Sequence, residues 1–170
     1  NQHLSRYTAH RNQPQFLDVS CMSPYLHFGQ ISPLFLALKL KALKNGDAKA
    51  EASYLEELII RRELAANFVY YNTAYDSLDC LPGWAEKTLA EHEGDSREYE
   101  YSKSELLECR THDAYWNAAM KEMIVSGFMH NYMRMYWGKK ILEWSNTPEM
   151  AYKTIIDLNN AYFLDGRDPN

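Results

Sequence analysis

Apolar positions along this chain recur at helical rather than strand spacing, and caps and breakers divide them into a series of helices. Ser32-Pro33 supplies a cap residue and a first-turn proline, the apolar run Leu34 to Leu43 fills the helix, and Asn45-Gly46 stops it. A long helix is predicted from about Ala48 to Tyr70, because Tyr54, Leu55, Leu58, Ile59, Leu64, Ala65 and Phe68 recur with the period of a buried helical face. Asn72 to Gly83 reads as a loop, Trp84 to His92 as a short helix, and Glu93 to Glu100 as an acidic link. Ser102 and Glu105 have the spacing of a capping box for a short helix to Cys109. His112-Asp113 starts the next helix, Gly127 ends it, and a helix carrying Trp137 follows at once. Thr147-Pro148-Glu149 opens the last one, which is expected to end near Asp165-Gly166. No strand, repeat or low-complexity segment emerges, so the fold class is all-α, a compact helical cluster.

Tryptophans and polar groups break this pattern where a plain helical core would carry Leu and Ala. Trp137 and Trp144 are seven residues apart, so they share a face roughly 10 Å apart along one helix axis, a separation that suits electron transfer between indoles. Trp116 lies on the preceding helix. As core aromatics all three would merely fill space. Glu57 and Arg61 stand at i, i+4 on the long helix, where they form a surface ion pair or face a ligand. Arg134 sits among Met129, Met133 and Trp137 and requires a carboxylate, with Asp165 and Asp113 as candidates. Asn159-Asn160 is compatible with a solvated helix end, although helix interiors disfavour Asn.

Composition narrows the classes further. The 170 residues suffice for one domain with a sizeable core. A net charge of -5 supplies no global attraction to nucleic acid, so any DNA contact needs a local basic surface drawn from Arg11, Lys39, Lys41, Lys44, Arg61, Arg62, Lys139 and Lys140. Cys21, Cys80 and Cys109 are odd in number and lack a Cys-x-x-Cys spacing, which suits free thiols in a reducing, intracellular compartment and argues against a zinc site. No apolar run approaches the roughly 20 residues of a membrane span. The polar start and the end at Asp168-Pro169-Asn170 are expected to be cut points, making the chain a fragment.

Five ordered segments carry a resemblance: Ser23-Pro-Tyr-Leu-His-Phe-Gly-Gln-Ile-Ser32, Glu57-Leu-Ile-Ile-Arg-Arg-Glu63, Thr111-His-Asp-Ala-Tyr-Trp-Asn117, Met129-His-Asn-Tyr-Met-Arg-Met-Tyr-Trp137 and Leu164-Asp-Gly-Arg-Asp-Pro-Asn170. Together they resemble the flavin-binding domain of DNA photolyases, in the class II cyclobutane pyrimidine dimer branch, from about Tyr7 to Asn170. The resemblance implies that residues 1–170 are most of the helical FAD-binding domain, without the N-terminal α/β antenna domain and the end of the helical one. It also implies light-driven splitting of pyrimidine dimers in double-stranded DNA by reduced FAD, in a monomer with an antenna chromophore that this segment does not identify.

On matching positions, the resemblance assigns Tyr7, Ser20, Met22 and Ser23 to the flavin diphosphate. The family often has Thr-Ser-Arg-Leu-Ser where this chain has Val19-Ser-Cys-Met-Ser23, so one hydroxyl is lost. Arg61, Asn131 and Arg134 would line the flavin, Asp165 would pair with Arg134, and Asn159 would face the flavin N5. Glu57 would hydrogen-bond a carbonyl of the dimer, which requires a proton that burial would favour. Met135 would pack on the lesion, and Arg11, Lys139 and Lys140 would contact DNA around a flipped-out dimer. Trp137, Trp116 and Trp144 would form an electron path in that order, with Tyr101 as terminal donor.

A cryptochrome-type photoreceptor would keep the tryptophans and flavin contacts while dispensing with Glu57 and Met135, and their presence favours the lyase. A plain helical interaction domain would bind no flavin.

Overall fold

The computed structural model describes residues 4–43 and 47–170, so Lys44 and the Asn45-Gly46 stop lie outside the described residues. The chain divides into two compact units, Asn1–Thr73 with Arg167–Asn170, and Ala74–Gly166. All regular structure among the described residues is helical, in agreement with the all-α expectation.

In the first unit, α1 (Leu4–His10) and α3 (Pro33–Lys41) pack against α4 (Ala48–Leu55), with the short α2 (Ser23–His27) between them in sequence. Ser32 caps α3 as expected, its hydroxyl accepting from the Phe35 amide at 3.4 Å. Asp47 caps α4 through the amides of Lys49 and Ala50.

The predicted long helix departs from expectation in its middle. Between α4 and α5 (Arg62–Tyr71), residues Glu56–Arg61 form a π-helical turn. Such a turn holds one residue more than an α-helical turn, so side chains beyond it rotate by roughly 100° relative to a continuous helix. Nor is the helix largely buried: only Ala50 and Leu58 are buried along it, while Ile60, Leu64, Phe68, Tyr70 and Tyr71 are exposed. Helical periodicity reports an apolar face but not what covers it.

The second unit holds the larger core. Here α8 (Ala114–Ser126) packs on α9 (Asn131–Glu143), α9 on α10 (Pro148–Tyr162), and α7 (Lys103–Leu107) on α8. Helix α6 (Gly83–Glu91) precedes them. Trp116, Ala119, Met120 and Met123 recur at i, i+3, i+4 and i+7 on α8 and meet Trp137, Ile141 and Trp144 from α9 and its cap. The expected capping box of Ser102 and Glu105 is present. Asp113 caps α8, its carboxylate accepting from the Trp116 amide at 2.9 Å.

Gly127 ends α8 at φ 70°, a left-handed conformation that glycine adopts without strain. Helix α10 stops at Tyr162, short of Asp165-Gly166. Phe163 turns extended and buries its ring in the core, and Gly166 then folds back so closely on the Asn159 carbonyl that a Cβ would not fit.

Candidate functional site

In the second unit the α9–α10 layer gathers four expected groups. Asn131 and Arg134 lie one turn apart on α9. Arg134 Nη2 donates to Asp165 Oδ1 at 2.6 Å, which settles the choice between Asp165 and Asp113. The guanidinium lies 3.6 Å over the Phe163 ring, and its Nε is buried without a hydrogen-bond partner among the described residues. Asn159 donates its amide Nδ2 to the Gly166 carbonyl and to Asn160 Oδ1, so it is tied to the turn that carries Asp165 rather than being a loose helix end. The polar edge of this cluster therefore combines a half-buried cation, its carboxylate and a fixed amide, an arrangement that suits a polar heteroaromatic ring.

Asp113 is used differently. It accepts from Tyr136 Oη on α9 and from the Trp116 amide, which pins α8 to α9. Burial alone would raise the Asp113 carboxyl, but hydrogen bonds from Tyr136 and from the main-chain amides of Trp116 and Tyr115 hold it below the usual range. The same bond pushes the Tyr136 phenol up to about 12.

The three indoles are all buried. Trp116 Nε1 donates to the main-chain carbonyl of Trp137 at 3.1 Å, and its ring meets that of Trp144 edge-on at 5.5 Å between centroids. Trp116 thus touches both residues of the pair seven apart on α9. Trp137 Nε1 points to Met120 Sδ at 3.3 Å, and its ring meets Phe163 at 6.1 Å. Beyond Trp144 lies Tyr101, at 5.2 Å in a T-shaped contact. Lys140 is engaged by Glu143 at 2.8 Å and sits 5.8 Å from the Trp144 ring, while Lys139 and Met135 are exposed.

The first unit gathers Tyr7, Arg11 and Glu57. Arg11 Nη2 lies 2.8 Å from Glu57 Oε1 and its guanidinium lies 5.8 Å from the Tyr7 ring, which meets Tyr54 edge-on. Burial raises the Tyr7 phenol against the opposing charge of Arg11. The i, i+4 pair of Glu57 with Arg61 does not form: inside the π turn Arg61 Nε reaches Glu56 at 3.3 Å, and Glu57 is taken by α1. The Glu57 side chain is 41% exposed, against the burial expected of it. Ser20 and Ser23 are exposed on the segment leading into α2, and Ser20 Oγ accepts from the Met22 amide.

Sequence reasoning passed over a further group in this unit. Arg62 grips Asp168 with two hydrogen bonds of 2.9 and 3.2 Å, and His27 Nδ1 lies 3.4 Å from the same carboxylate. Three of the five quoted segments thus meet at one carboxylate, whose side chain is 5% exposed. An acid just before a proline in a segment without hydrophobic period was the available signal.

Over 167 residues, 98% of its length, the chain is 56% identical to the deoxyribodipyrimidine photo-lyase of Methanothermobacter thermautotrophicus. It is a homologue of part of these photo-lyases. The rice protein of that name is 48% identical and that of Potorous tridactylus 41%, again across 98% of this chain. The chain spans about a third of the length of these photo-lyases, from 31% to 36%. The all-helical fold is compatible with a photolyase helical FAD-binding domain. No family model matches the chain.

Proposed function

We propose that this chain is the flavin-holding portion of a class II photo-lyase that repairs cyclobutane pyrimidine dimers in double-stranded DNA. The observation that carries the reading is the contact series Trp137, Trp116, Trp144 and Tyr101 beside the Arg134–Asp165 pair, in a chain 56% identical to a named photo-lyase.

The residues fit FAD. Among the described residues, Arg134 Nε in the second unit and the Thr8 hydroxyl in the first are buried without a hydrogen-bond partner, groups of the kind a ligand satisfies. In the second unit Arg134, Asp165, Asn131 and Asn159 are the groups for the ring system; in the first unit, taken by itself, Tyr7, Ser20, Met22, Ser23 and Arg61 are the groups for the phosphates. Bound in its reduced form, FAD would supply the electron that splits the dimer and receive it back. Asn159 commits its Nδ2 to Gly166, which leaves Oδ1 to accept a proton-bearing ring nitrogen.

Glu57 would contact a dimer carbonyl, for which it must carry a proton and leave Arg11. DNA phosphate is a competing partner for Arg11, so binding of DNA would release Glu57 for that task. Met135, exposed on α9, would pack on the flipped bases, and Lys139 and Lys140 would meet the backbone.

The test is blue-light repair of a defined thymine dimer by the purified holoprotein carrying reduced FAD. Restoration of the two thymines is expected, and Glu57→Ala should depress it. Absence of repair with flavin bound refutes the lyase, and flavin photoreduction without repair would favour a photoreceptor instead.

A further inference from the structure

We propose that His112 is the proton acceptor that ends the aromatic path, taking the phenol proton of Tyr101 as Tyr101 gives up an electron. This rests on the reading of the tryptophans as an electron path to the flavin. A phenol oxidised near neutral pH loses its proton, so a tyrosine serves as a fast terminal donor when a base stands within hydrogen-bond reach.

Two hydrogen bonds meet at Tyr101 Oη. The main-chain N–H of His112 donates to the phenol oxygen at 2.9 Å, and an amide can only donate there. The second hydrogen bond joins the phenol to His112 Nδ1 at 2.8 Å, and the phenol O–H donates it when the ring proton sits on Nε2. In that neutral tautomer Nδ1 presents the lone pair that receives the phenol proton. The imidazole is further held by the Tyr99 ring, stacked at 3.8 Å and 20°.

The indoles have nothing equivalent. Trp116 N–H meets a main-chain carbonyl, Trp137 N–H meets a thioether, and the buried Trp144 N–H has no partner among the described residues. None of these is a base, so an oxidised Trp144 keeps its proton and remains an electron-poor radical cation. Its nearest proton-coupled donor is the ring 5.2 Å away. Exposure also runs the right way: Trp144 is buried, Tyr101 half-buried and His112 exposed.

The step balances with photoexcited oxidised flavin as the ultimate oxidant. One electron passes from Tyr101 to the Trp144 radical cation, the Tyr101 O–H bond breaks, and an N–H bond forms at His112 Nδ1. Neutral Trp144, a neutral tyrosyl radical and an imidazolium result, and the imidazolium can release its Nε2 proton to water. The charge leaves the buried path, which slows return of the electron.

The experiment is flash photolysis of the FAD-loaded, oxidised holoprotein, with transient absorption and electron paramagnetic resonance assigning the radical, in H2O and D2O. Wild type should show a tyrosyl radical that forms more slowly in D2O. In His112→Phe, which keeps a flat ring, and in His112→Gln, which keeps an acceptor but no base, tyrosyl formation should slow about 100-fold or more, the scale of a positioned base. The Trp144 radical should persist in both. Undiminished tyrosyl formation in both variants, with the wild-type isotope effect, overturns the assignment to His112. Absence of any tryptophan radical in wild type overturns the electron path itself, a different and recognisable failure.

Discussion

Trp116→Phe probes the aromatic path at the residue that joins its two halves. Trp116 is fully buried, and its indole N–H donates to the Trp137 carbonyl at 3.1 Å. Replacing indole by phenyl would leave a void of about 40 Å³ at most, a cavity cost of about 1 kcal/mol at ~24 cal/mol per Å³, on top of about 1 kcal/mol for the apolar surface no longer buried. The lost hydrogen bond adds about 1 kcal/mol, because the Trp137 carbonyl lies inside α9 and keeps its helical partner. The sum, about 3 kcal/mol, weakens the protein without unfolding it. Electron supply should respond far more strongly. Without Trp116 an electron must pass from Trp144 to Trp137 in one step across roughly 10 Å of helical rise, which is passable but slower than a path in which Trp116 meets the Trp144 ring at 5.5 Å. Equilibrium denaturation would measure the first effect, and the rate of flavin photoreduction under steady blue light with an external reductant the second. Repair by chemically reduced flavin should survive. Photoreduction at the wild-type rate in a folded, flavin-bound variant would refute the ordering of the path.

Two further outcomes follow from the core of the second unit. Asp113 is held below the usual carboxylate range, so its stabilisation is present above that range and fades as pH falls through the lowered value. Asp113→Asn should lower stability by about 1 kcal/mol at neutral pH and remove this part of the acid dependence. It should also bring Tyr136 down from about 12, and an unchanged acid profile of the denaturation midpoint would contradict the role given to this carboxylate. Gly127→Ala should destabilise by about 1–2 kcal/mol, chiefly through the left-handed backbone. Its new Cβ would also lie 2.6 Å from Leu164 Cγ, a branch carbon beside a backbone N–H that donates to the Gly127 carbonyl, so relieving that clash adds to the cost. A loss below about 0.5 kcal/mol in denaturant titration would show that the backbone strain has been overestimated.

Much of the fold was legible from short-range chemistry. The caps at Ser32, Ser102, Asp113 and Thr147 and the stop at Gly127 each act within a few residues, so their sequence neighbourhood contains the whole cause. The shared face of Trp137 and Trp144 follows equally from the helical period. Arg134 illustrates the limit: an arginine in an apolar helix demanded a carboxylate, but nothing local chose Asp165 over Asp113. That choice required knowing that α10 stops at Tyr162 and that Gly166 folds against Asn159.

The sequence by itself determined an all-helical chain, the positions of most helix ends, and the aromatic and charged groups available for chemistry. Tertiary structure decided which of those groups meet. It put Arg11, and not Arg61, against Glu57 by inserting a π turn, and it drew Arg62, His27 and Asp168 together from three distant segments. It also set Tyr101 against both Trp144 and the His112 imidazole, which itself meets the Trp144 ring at 5.5 Å. The reason is one of range: caps and helical periods are settled by bonds spanning three or four residues, whereas ion pairs and ring contacts depend on how whole helices pack.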